Sequence, residues 1–242
     1  MNDRPTFAIG VDVGGTTIKA GRVTPDGQLS GQVVLSSLAD QGPEAVLAQA
    51  ANAALEVARG TPGGNCAGIG VGIPGIVSVE DGLVRYPPNF ARWGDVDVTG
   101  FLRGKTGLRV VTENDANCAA LAEARFGAGV RHANFIFVIW GTGVGGGIIL
   151  DGNIFRGPGG GAGEIGHVTI DRNGPECNCG NRGCVESYIG QKYLSERARA
   201  ILERERSSGR RSAILDLAGG DTALIEPEAI SRAAEAGDEI AC

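Results

Sequence analysis

The densest group of potential metal ligands lies in the C-terminal half of the chain. Cys177, Cys179 and Cys184 fall within eight positions, and His167, one of two histidines in the sequence, comes shortly before them. Three thiolates and one imidazole form a closed tetrahedral donor set for zinc. Because protein ligands would fill all four positions, the pattern predicts a structural Zn²⁺ with no site for a reactive water. Unligated thiols in a loop are the alternative interpretation.

Two glutamates, Glu164 and Glu186, flank this cluster in the sequence. An imidazole has two distinct nitrogens, so His167 could bind a metal through one and donate to a substrate hydroxyl through the other. Carboxylates and an imidazole in one pocket suit the hydroxyl groups of a neutral polyol. Each glutamate taken singly could instead be a solvated loop carboxylate.

Two glycine-rich turns follow apolar strands, and converging backbone N–H groups and hydroxyls in such turns are typical of phosphate binding. An aspartate beside the first turn could hold Mg²⁺, directly or through water. The spacing is neither that of a Rossmann turn nor that of a P-loop. Tight hairpins without a ligand are the alternative interpretation. The presence of two such turns in one chain favours the binding of one nucleotide by both. The residues are Asp12, Gly14, Gly15, Thr16, Thr17 and Lys19 in the first turn and Gly141, Thr142 and Gly143 in the second.

A polar segment, Glu113–Asn117, stands at the start of a predicted helix. An Asn or Asp cap explains one of these residues. Backbone N–H donors at a helix start favour the charged form of a carboxyl group, so Asp115 is expected to stay ionised. Phosphoryl transfer to a hydroxyl needs such a base. From these residues alone, a cap and a base are equal alternatives for Asp115.

The predicted elements that must position these residues form an α/β chain of two domains, 1–112 and 113–242. Alternating strands and helices occur in both halves, and the long amphipathic helix of the first half begins at a proline. The predicted strands are 6–13, 16–24, 32–36, 67–71, 134–140 and 147–150, and the predicted helices are 43–59, 115–126, 185–206, 209–217 and 227–236.

Composition excludes several classes of protein. The 242 residues carry a net charge of −6, which disfavours general attraction to nucleic acid or anionic membranes. No apolar run approaches the roughly 18 residues of a membrane span, and the N-terminus has no signal-peptide pattern, so a cytoplasmic protein is expected. In that reducing setting the clustered cysteines favour metal, whereas Cys66, Cys118 and Cys242 are expected to be inert thiols.

Together these motifs resemble the ROK family of bacterial sugar kinases and repressors, from about Phe7 to the end of the chain. The most specific stretch runs from Trp140 to Glu186 and contains GTGVGGGII, GEIGH and CNCGNRGCVE in the family's order. The resemblance is nearest to the glucokinase branch. It implies an actin-like (ribonuclease H-like) ATPase fold with two α/β domains around a cleft. It also implies ATP-dependent phosphorylation of a hexose, with glucose 6-phosphate as the product and a place in glycolysis.

The resemblance also implies roles for individual residues. Asp115 matches the catalytic base, and the two turns with Asp12 match the site for ATP and Mg²⁺. The zinc ligands carry over to His167, Cys177, Cys179 and Cys184. A homodimer or homotetramer is expected. The sugar-binding positions implied are Gly75, Asn89, Asn114, Asp115, Glu164, His167 and Glu186.

Two departures from the family pattern bear on function. The repressors carry an N-terminal helix-turn-helix, whereas the first strand is predicted here at residue 6, so no nucleic-acid partner is expected. Family members usually continue beyond the position of Cys242 through a last strand, an adenosine-binding turn and a closing helix. We therefore expect these 242 residues to lack one wall of the nucleotide site and to turn over poorly.

Three alternatives stay open at this stage. The acceptor could be another sugar, such as N-acetylmannosamine, N-acetylglucosamine, mannose or fructose. Polyphosphate could replace ATP as the donor. A non-catalytic sugar sensor could keep the zinc and sugar residues without turnover, although such a protein has no need of a base at Asp115.

Overall fold

The structure, a computed structural model, describes residues 6–60, 65–88, 90–206 and 209–242. Strands and helices alternate along it, which confirms the predicted α/β class. The strands are β1 (Thr6–Val13), β2 (Thr17–Val23), β3 (Leu29–Ser36), β4 (Asn65–Ile73), β5 (Ile76–Ser78), β6 (Leu83–Arg85), β7 (Val96–Asp97), β8 (Val110–Asn114), β9 (Phe135–Trp140), β10 (Val144–Leu150) and β11 (Asn153–Ile154). The helices are α1 (Pro43–Arg59), α2 (Val98–Thr106), α3 (Asp115–Phe126), α4 (Val185–Ile189), α5 (Gln191–Arg206), α6 (Ala213–Leu217) and α7 (Pro227–Glu235).

The largest sheet has the strand order β3-β2-β1-β4-β8. β1, β2 and β3 form an antiparallel meander, whereas β4 runs parallel to β1 and β8 runs parallel to β4. Helix α1 covers this sheet with an apolar face at helical spacing, and Pro43 begins the helix where no N–H partner is required. The buried side chains of that face are Val46, Leu47, Ala50, Ala51, Ala53, Ala54 and Val57.

The chain divides into two compact units. The N-terminal unit comprises Met1–Phe137 and Gly147–Gly163, and the C-terminal unit comprises Val138–Gly146 and Glu164–Cys242. These bounds differ from the division predicted after residue 112. The physical reason is β8, which the apolar pattern did not predict: it pairs with β4 and keeps the start of α3 with the first sheet.

The C-terminal unit contains a loop of turns around the cysteine cluster, followed by helices α4 to α7. The predicted helix 185–206 is in fact two helices, because Gly190 adopts extended backbone angles between α4 and α5. Helices α5, α6 and α7 share a small apolar core that includes Leu202, Ile214 and Ile225. Among the described residues, no helix is both long and apolar enough to cross a membrane.

Leu47 tests how strongly α1 holds the first sheet. Its side chain is 1% exposed within the main core. Leu47→Ala should lower the free energy of unfolding by about 2–5 kcal/mol, because it leaves a cavity between the helix and the sheet. The measurement is urea denaturation followed by circular dichroism. The exposed Glu56→Ala in the same helix is the control, and an equal loss in both variants would contradict this packing.

Candidate active site

The first glycine-rich turn joins β1 to β2 as a tight hairpin. Gly14 N–H donates to the carbonyl of Thr17 at 3.0 Å. Ser37, the residue after β3, binds the turn through two hydrogen bonds. Its N–H donates to the Thr16 carbonyl at 3.0 Å, and its hydroxyl donates to the Gly15 carbonyl at 2.8 Å. Gly15 and Thr16 remain exposed to solvent. The turn is therefore anchored through its carbonyls while its outer edge stays open to a ligand.

Asp12 lies beside this turn at the carboxyl end of β1. In the parallel register, Asp12 pairs with Gly72 of β4, and Gly72 pairs with Glu113 of β8. Asp115 begins α3 directly after β8. Ligands of α/β sheets bind where the carboxyl ends of parallel strands meet. The register thus brings Asp12 and Asp115, which are 103 residues apart in the numbering, to one edge of the sheet.

The start of α3 is held by side chains of its own turn. Asn114 caps the helix by accepting the N–H of Asn117 at 3.0 Å, and its amide nitrogen donates to the carbonyl of Gly75 at 3.2 Å. One carboxylate oxygen of Asp115 accepts the N–H of Ala116 at 2.8 Å. Asn114, and not Asp115, therefore caps the helix. The carboxylate of Asp115 is not used as the cap. Asn114, Asp115 and Gly75 come together in the N-terminal unit.

The pKa of the Asp115 carboxyl group is raised, whereas the helix-start N–H donors by themselves would lower it. Surrounding protein removes part of its hydration and the nearby Asp12 charge disfavours ionisation, and these effects outweigh the Ala116 N–H, which lowers the pKa. Burial also raises the pKa of Asp12, while Lys19 opposes that shift. Both residues still present surface to solvent. A raised pKa moves Asp115 toward the range in which a carboxylate is an effective general base.

A half-buried ion pair joins Glu113, two residues before Asp115, to Arg156, whose side chain is 39% exposed. One carboxylate oxygen of Glu113 accepts from Arg156 through Nε at 2.7 Å and Nη2 at 2.5 Å. The other accepts the N–H of Asn114 at 2.9 Å and the side-chain amide of Asn117 at 3.1 Å. The Glu113 side chain is 10% exposed, so these donors replace the water that its charge has lost. The pair ties the segment after β11 to the start of α3.

In the C-terminal unit, His167 divides its two nitrogens between different neighbours. Nδ1 lies 3.6 Å from the sulfur of Cys177, and Nε2 lies 4.0 Å from a carboxylate oxygen of Glu164. The sequence predicted one nitrogen toward the metal cluster and the other toward a substrate hydroxyl; the approach of Nε2 to Glu164 was not predicted. The carboxylate of Glu186 accepts the N–H of Val144 at 2.8 Å, next to the second glycine-rich turn.

The four predicted metal ligands converge. The ligand atoms of His167, Cys177, Cys179 and Cys184 all lie within 4.8 Å of one another, and the sulfurs of Cys179 and Cys184 are 3.7 Å apart. A tetrahedral zinc, with sulfur at about 2.3 Å and nitrogen at about 2.0–2.1 Å, separates its ligand atoms by roughly 3.5–3.8 Å. The donor set therefore fits one tetrahedral zinc ion, and the Cys179–Cys184 and Cys177–His167 pairs already lie at its ligand spacing.

The predicted site residues fall into one group in each unit. The N-terminal unit holds Asp12, Gly14, Gly15, Thr16, Thr17, Lys19, Gly75, Asn114 and Asp115, and the C-terminal unit holds Gly141, Thr142, Gly143, Glu164, His167, Cys177, Cys179, Cys184 and Glu186. Asn89 lies outside the described residues. A cleft of about 500 Å³ also opens beside the first turn, between Thr16, Leu38 and Ala91, and Asp115 does not line it.

Comparison with known proteins identifies the family. The model of the ROK family matches residues 8–242. The chain belongs to the ROK family.

Named ROK proteins similar to this chain include enzymes and regulators. A glucokinase of Thermotoga maritima is 41% identical over 192 residues, which cover 78% of this chain and 60% of that protein. The xylose repressor of Bacillus subtilis is 37% identical over 200 residues, covering 80% and 50% respectively. The chain thus spans between half and three fifths of the length of these relatives.

Solved ROK structures share the fold. A ROK family glucokinase from Streptomyces griseus, in complex with glucose and AMPPNP, matches 97% of this chain and 73% of its own with a TM-score of 0.78 at 34% identity. The likeness confirms the predicted actin-like ATPase fold family.

Sequence patterns did not reveal the Glu113–Arg156 pair of this ROK chain. The two residues are 43 positions apart, and Arg156 lies in a loop. Its one local signal is that it is the single charged residue between 152 and 163, a run rich in glycine. A lone charged residue in such a run indicates a cation that needs an acidic partner, but the sequence does not identify that partner.

Removing the arginine measures what the ion pair contributes. Arg156→Met should lower the free energy of unfolding by about 2–4 kcal/mol, because the Glu113 carboxylate would stay buried without its cation. Arg156→Met with Glu113→Gln should recover part of this loss, since no buried charge remains. Urea denaturation is the measurement.

The exposed pair between Arg85 and Asp95, 2.9 Å apart, supplies the matched control. Arg85→Met should cost no more than about 1 kcal/mol. If Arg156→Met costs no more than Arg85→Met, the pair does not tie the two segments together.

Proposed function

We propose that this ROK chain is a sugar kinase that transfers the γ-phosphoryl group of ATP to a hexose, with glucose as the acceptor. The observation that carries the proposal is the meeting of Asp12 and Asp115 at the carboxyl edge of the parallel strands, beside an open glycine-rich turn. A base and a phosphate-binding turn at one sheet edge are what phosphoryl transfer requires. The glucokinase relatives and the glucose-bound ROK structure support glucose as the acceptor.

Asp115 would act as the general base. It would take the proton of the sugar's 6-hydroxyl as that oxygen forms a bond to the γ-phosphorus, and the bond from that phosphorus to the bridging oxygen would break to release ADP. The raised pKa of Asp115 suits this role, because a stronger base accepts the proton more readily. The open N–H groups of the first turn would stabilise charge on the transferred group.

Each unit carries polar side chains proposed for sugar recognition. In the N-terminal unit, the Asn114 side chain donates to the carbonyl of Gly75 and lies next to Asp115 in the chain, which suits Asn114 to bind a hydroxyl beside the base. Asn89 is predicted to contribute another amide. In the C-terminal unit, the carboxylates of Glu164 and Glu186 would accept hydrogen bonds from sugar hydroxyls, and His167 would donate one.

ATP would require a divalent cation, and Asp12 is the residue that would hold Mg²⁺ beside the phosphates, directly or through water. Lys19, opposite Asp12 in the hairpin, would add positive charge near them. The second turn, Gly141–Gly143, would offer further N–H groups. Zinc bound by His167 and the three clustered cysteines would order its loop and take no part in the chemistry.

A sugar-responsive protein without turnover is the second candidate, and the likeness to xylose repressors favours it. Asp115 argues for the kinase, because a sensor needs no base at that position. Other hexoses as acceptor, polyphosphate as donor, and a homodimer or homotetramer stay predictions. An assay of ADP release over a small panel of sugars separates the two candidates and ranks the acceptors.

Asp115→Asn tests the proposed base. The variant should keep glucose affinity within a few-fold, while kcat falls by about 10²–10⁴-fold because the proton acceptor is lost. In the unsubstituted chain, kcat should fall as pH drops through the raised pKa of Asp115, so the acid limb should lie at higher pH than for an ordinary aspartate. Calorimetry for binding and coupled ADP release for turnover are the measurements.

Asp216→Asn in α6 is the control for this prediction, since it removes a carboxylate outside the proposed site. It should leave both quantities unchanged. If Asp115→Asn retains most of the activity, Asp115 is not the base.

Elemental analysis tests the proposed metal. About one zinc per chain should be found, because the cluster supplies a full set of four ligands. Cys179→Ser should lose most of this zinc, whereas Cys242→Ser, which removes an exposed cysteine outside the cluster, should keep it. Equal zinc content in the two variants would contradict the assigned ligands.

A further inference from the structure

The second glycine-rich turn, at Gly141–Val144, is attached to the residues that carry the metal ligands. Glu186 lies two residues after Cys184, and its carboxylate accepts the N–H of Val144 at 2.8 Å. Gly166 lies one residue before His167 and packs directly against the carbonyl of Val144. The N–H and the carbonyl of Val144 therefore both contact residues that lie close in sequence to metal ligands.

Two glycines allow these close approaches. A β-carbon on Gly143 would overlap the carboxylate of Glu186, and one on Gly166 would overlap the Val144 carbonyl. The turn thus lies against Glu186 on one side and against the backbone of Gly166 on the other.

The end of α4 and the first residue of α5 also bind this segment. The indole N–H of Trp140 donates to the carbonyl of Ile189 in α4 at 2.6 Å, and the N–H of Gln191, where α5 begins, donates to the carbonyl of Gly141 at 3.1 Å. Cys184 occupies the N-cap position of α4. Hydrogen bonds, rather than an apolar core, thus connect the cluster of metal ligands to the turn.

The two ligand-bearing segments are also joined to each other. The N–H of Val185 donates to the carbonyl of Val168 at 3.0 Å, which links the residue after Cys184 to the residue after His167. A metal ion shared by His167 and Cys184 would lock this junction, since metal sites order the segments that supply their ligands. Without the ion, the junction depends on backbone hydrogen bonds alone.

We propose that metal occupancy of the His167–Cys184 cluster controls the conformation of the Gly141–Val144 turn, through Glu186 and Gly166. Metal binding would then set the position of the proposed phosphate-binding turn as well as that of the proposed sugar-binding residues. Glu186 acts in this as a positioning residue for the turn. The conformational part of the proposal stands by itself, and its consequence for nucleotide binding rests on the proposed function.

Hydrogen–deuterium exchange of the unsubstituted chain is the primary test. Zinc is removed with a chelator and then restored as Zn²⁺ alone. Losing a hydrogen bond to a charged group corresponds to roughly a 10- to 100-fold change in an opening equilibrium, so amide exchange at 140–147 should accelerate by about that factor and recover with zinc. Exchange at Gly14–Thr17 in the other unit should not change.

Trp140 gives an independent readout. The chain has two tryptophans, so Trp93→Phe leaves Trp140 as the single indole. Its emission should shift and its quenching by iodide should increase when zinc is removed, because the bond to Ile189 is lost. The exchange experiment needs no variant and decides the question even where Trp93→Phe does not fold.

Glu186→Ala tests the connection itself. It should leave zinc content unchanged but make exchange at 140–147 fast with or without zinc, because the acceptor of the Val144 N–H is gone. Glu196→Ala, an exposed glutamate of α5, is the matched control and should behave as the unsubstituted chain.

Three results would overturn the proposal. The first is unchanged exchange at 140–147 while the 174–184 loop loosens, and the second is an equal acceleration in Gly14–Thr17, which means general unfolding. The third is a chain that takes up no zinc. Calorimetry with AMPPNP then examines the consequence: affinity should fall at least several-fold without zinc. If neither form binds AMPPNP, the phosphate-binding role of the turn fails while the exchange result still decides the coupling.

Discussion

A buried carboxylate, that of Glu113, sets the geometry of the N-terminal unit's site. A charge buried at the end of a strand, here β8, is costly unless donors surround it. Arg156 neutralises it from another segment, and the N–H of Asn114 and the amide of Asn117 complete its shell. Because the same residues form the first turn of α3, compensating the charge also orients the helix start. The proposed base, Asp115, takes its position from that arrangement.

The two exposed aspartates of this edge make it electrostatically unfavourable when no ligand is bound. Asp12 and Asp115 each lose hydration, and the charge of Asp12 raises the pKa of Asp115. Lys19 offsets the charge of Asp12 only in part, whereas Arg156 bonds directly to Glu113. Carboxylates with perturbed pKa values are typical of functional sites, where substrate or metal supplies further positive charge.

The loop around the cysteine cluster of the C-terminal unit is ordered by different interactions. Around its cysteine cluster the chain is rich in glycine and poor in large apolar side chains, and its apolar core lies away in α5, α6 and α7. A hydrophobic core therefore cannot order the loop between Glu164 and Glu186. Backbone hydrogen bonds order it, and a metal ion bound by the four converging ligand atoms would add to them. With the proposed metal bound, the local order of this unit should depend on metal more than on packing.

The sequence by itself determined the features that rest on local interactions. Helices α1 and α3 have the predicted bounds, because apolar spacing, Pro43 and the Asn114 cap act within a few residues. The convergence of the four proposed metal ligands was also predictable, since all four lie within eighteen positions and their chemistry is specific.

Tertiary structure decided the rest, because it depends on residues distant in the chain. The short strand β8 is recognisable only through its pairing with β4, and Arg156 meets Glu113 only in the folded chain. The helix-start N–H groups acting on Asp115 are local, and from them its carboxyl group was expected to stay ionised. Burial and the charge of Asp12 are tertiary, and they reverse the direction of that pKa. Side-chain type and spacing state which chemistry is available, whereas the fold sets the charge and hydration under which it operates.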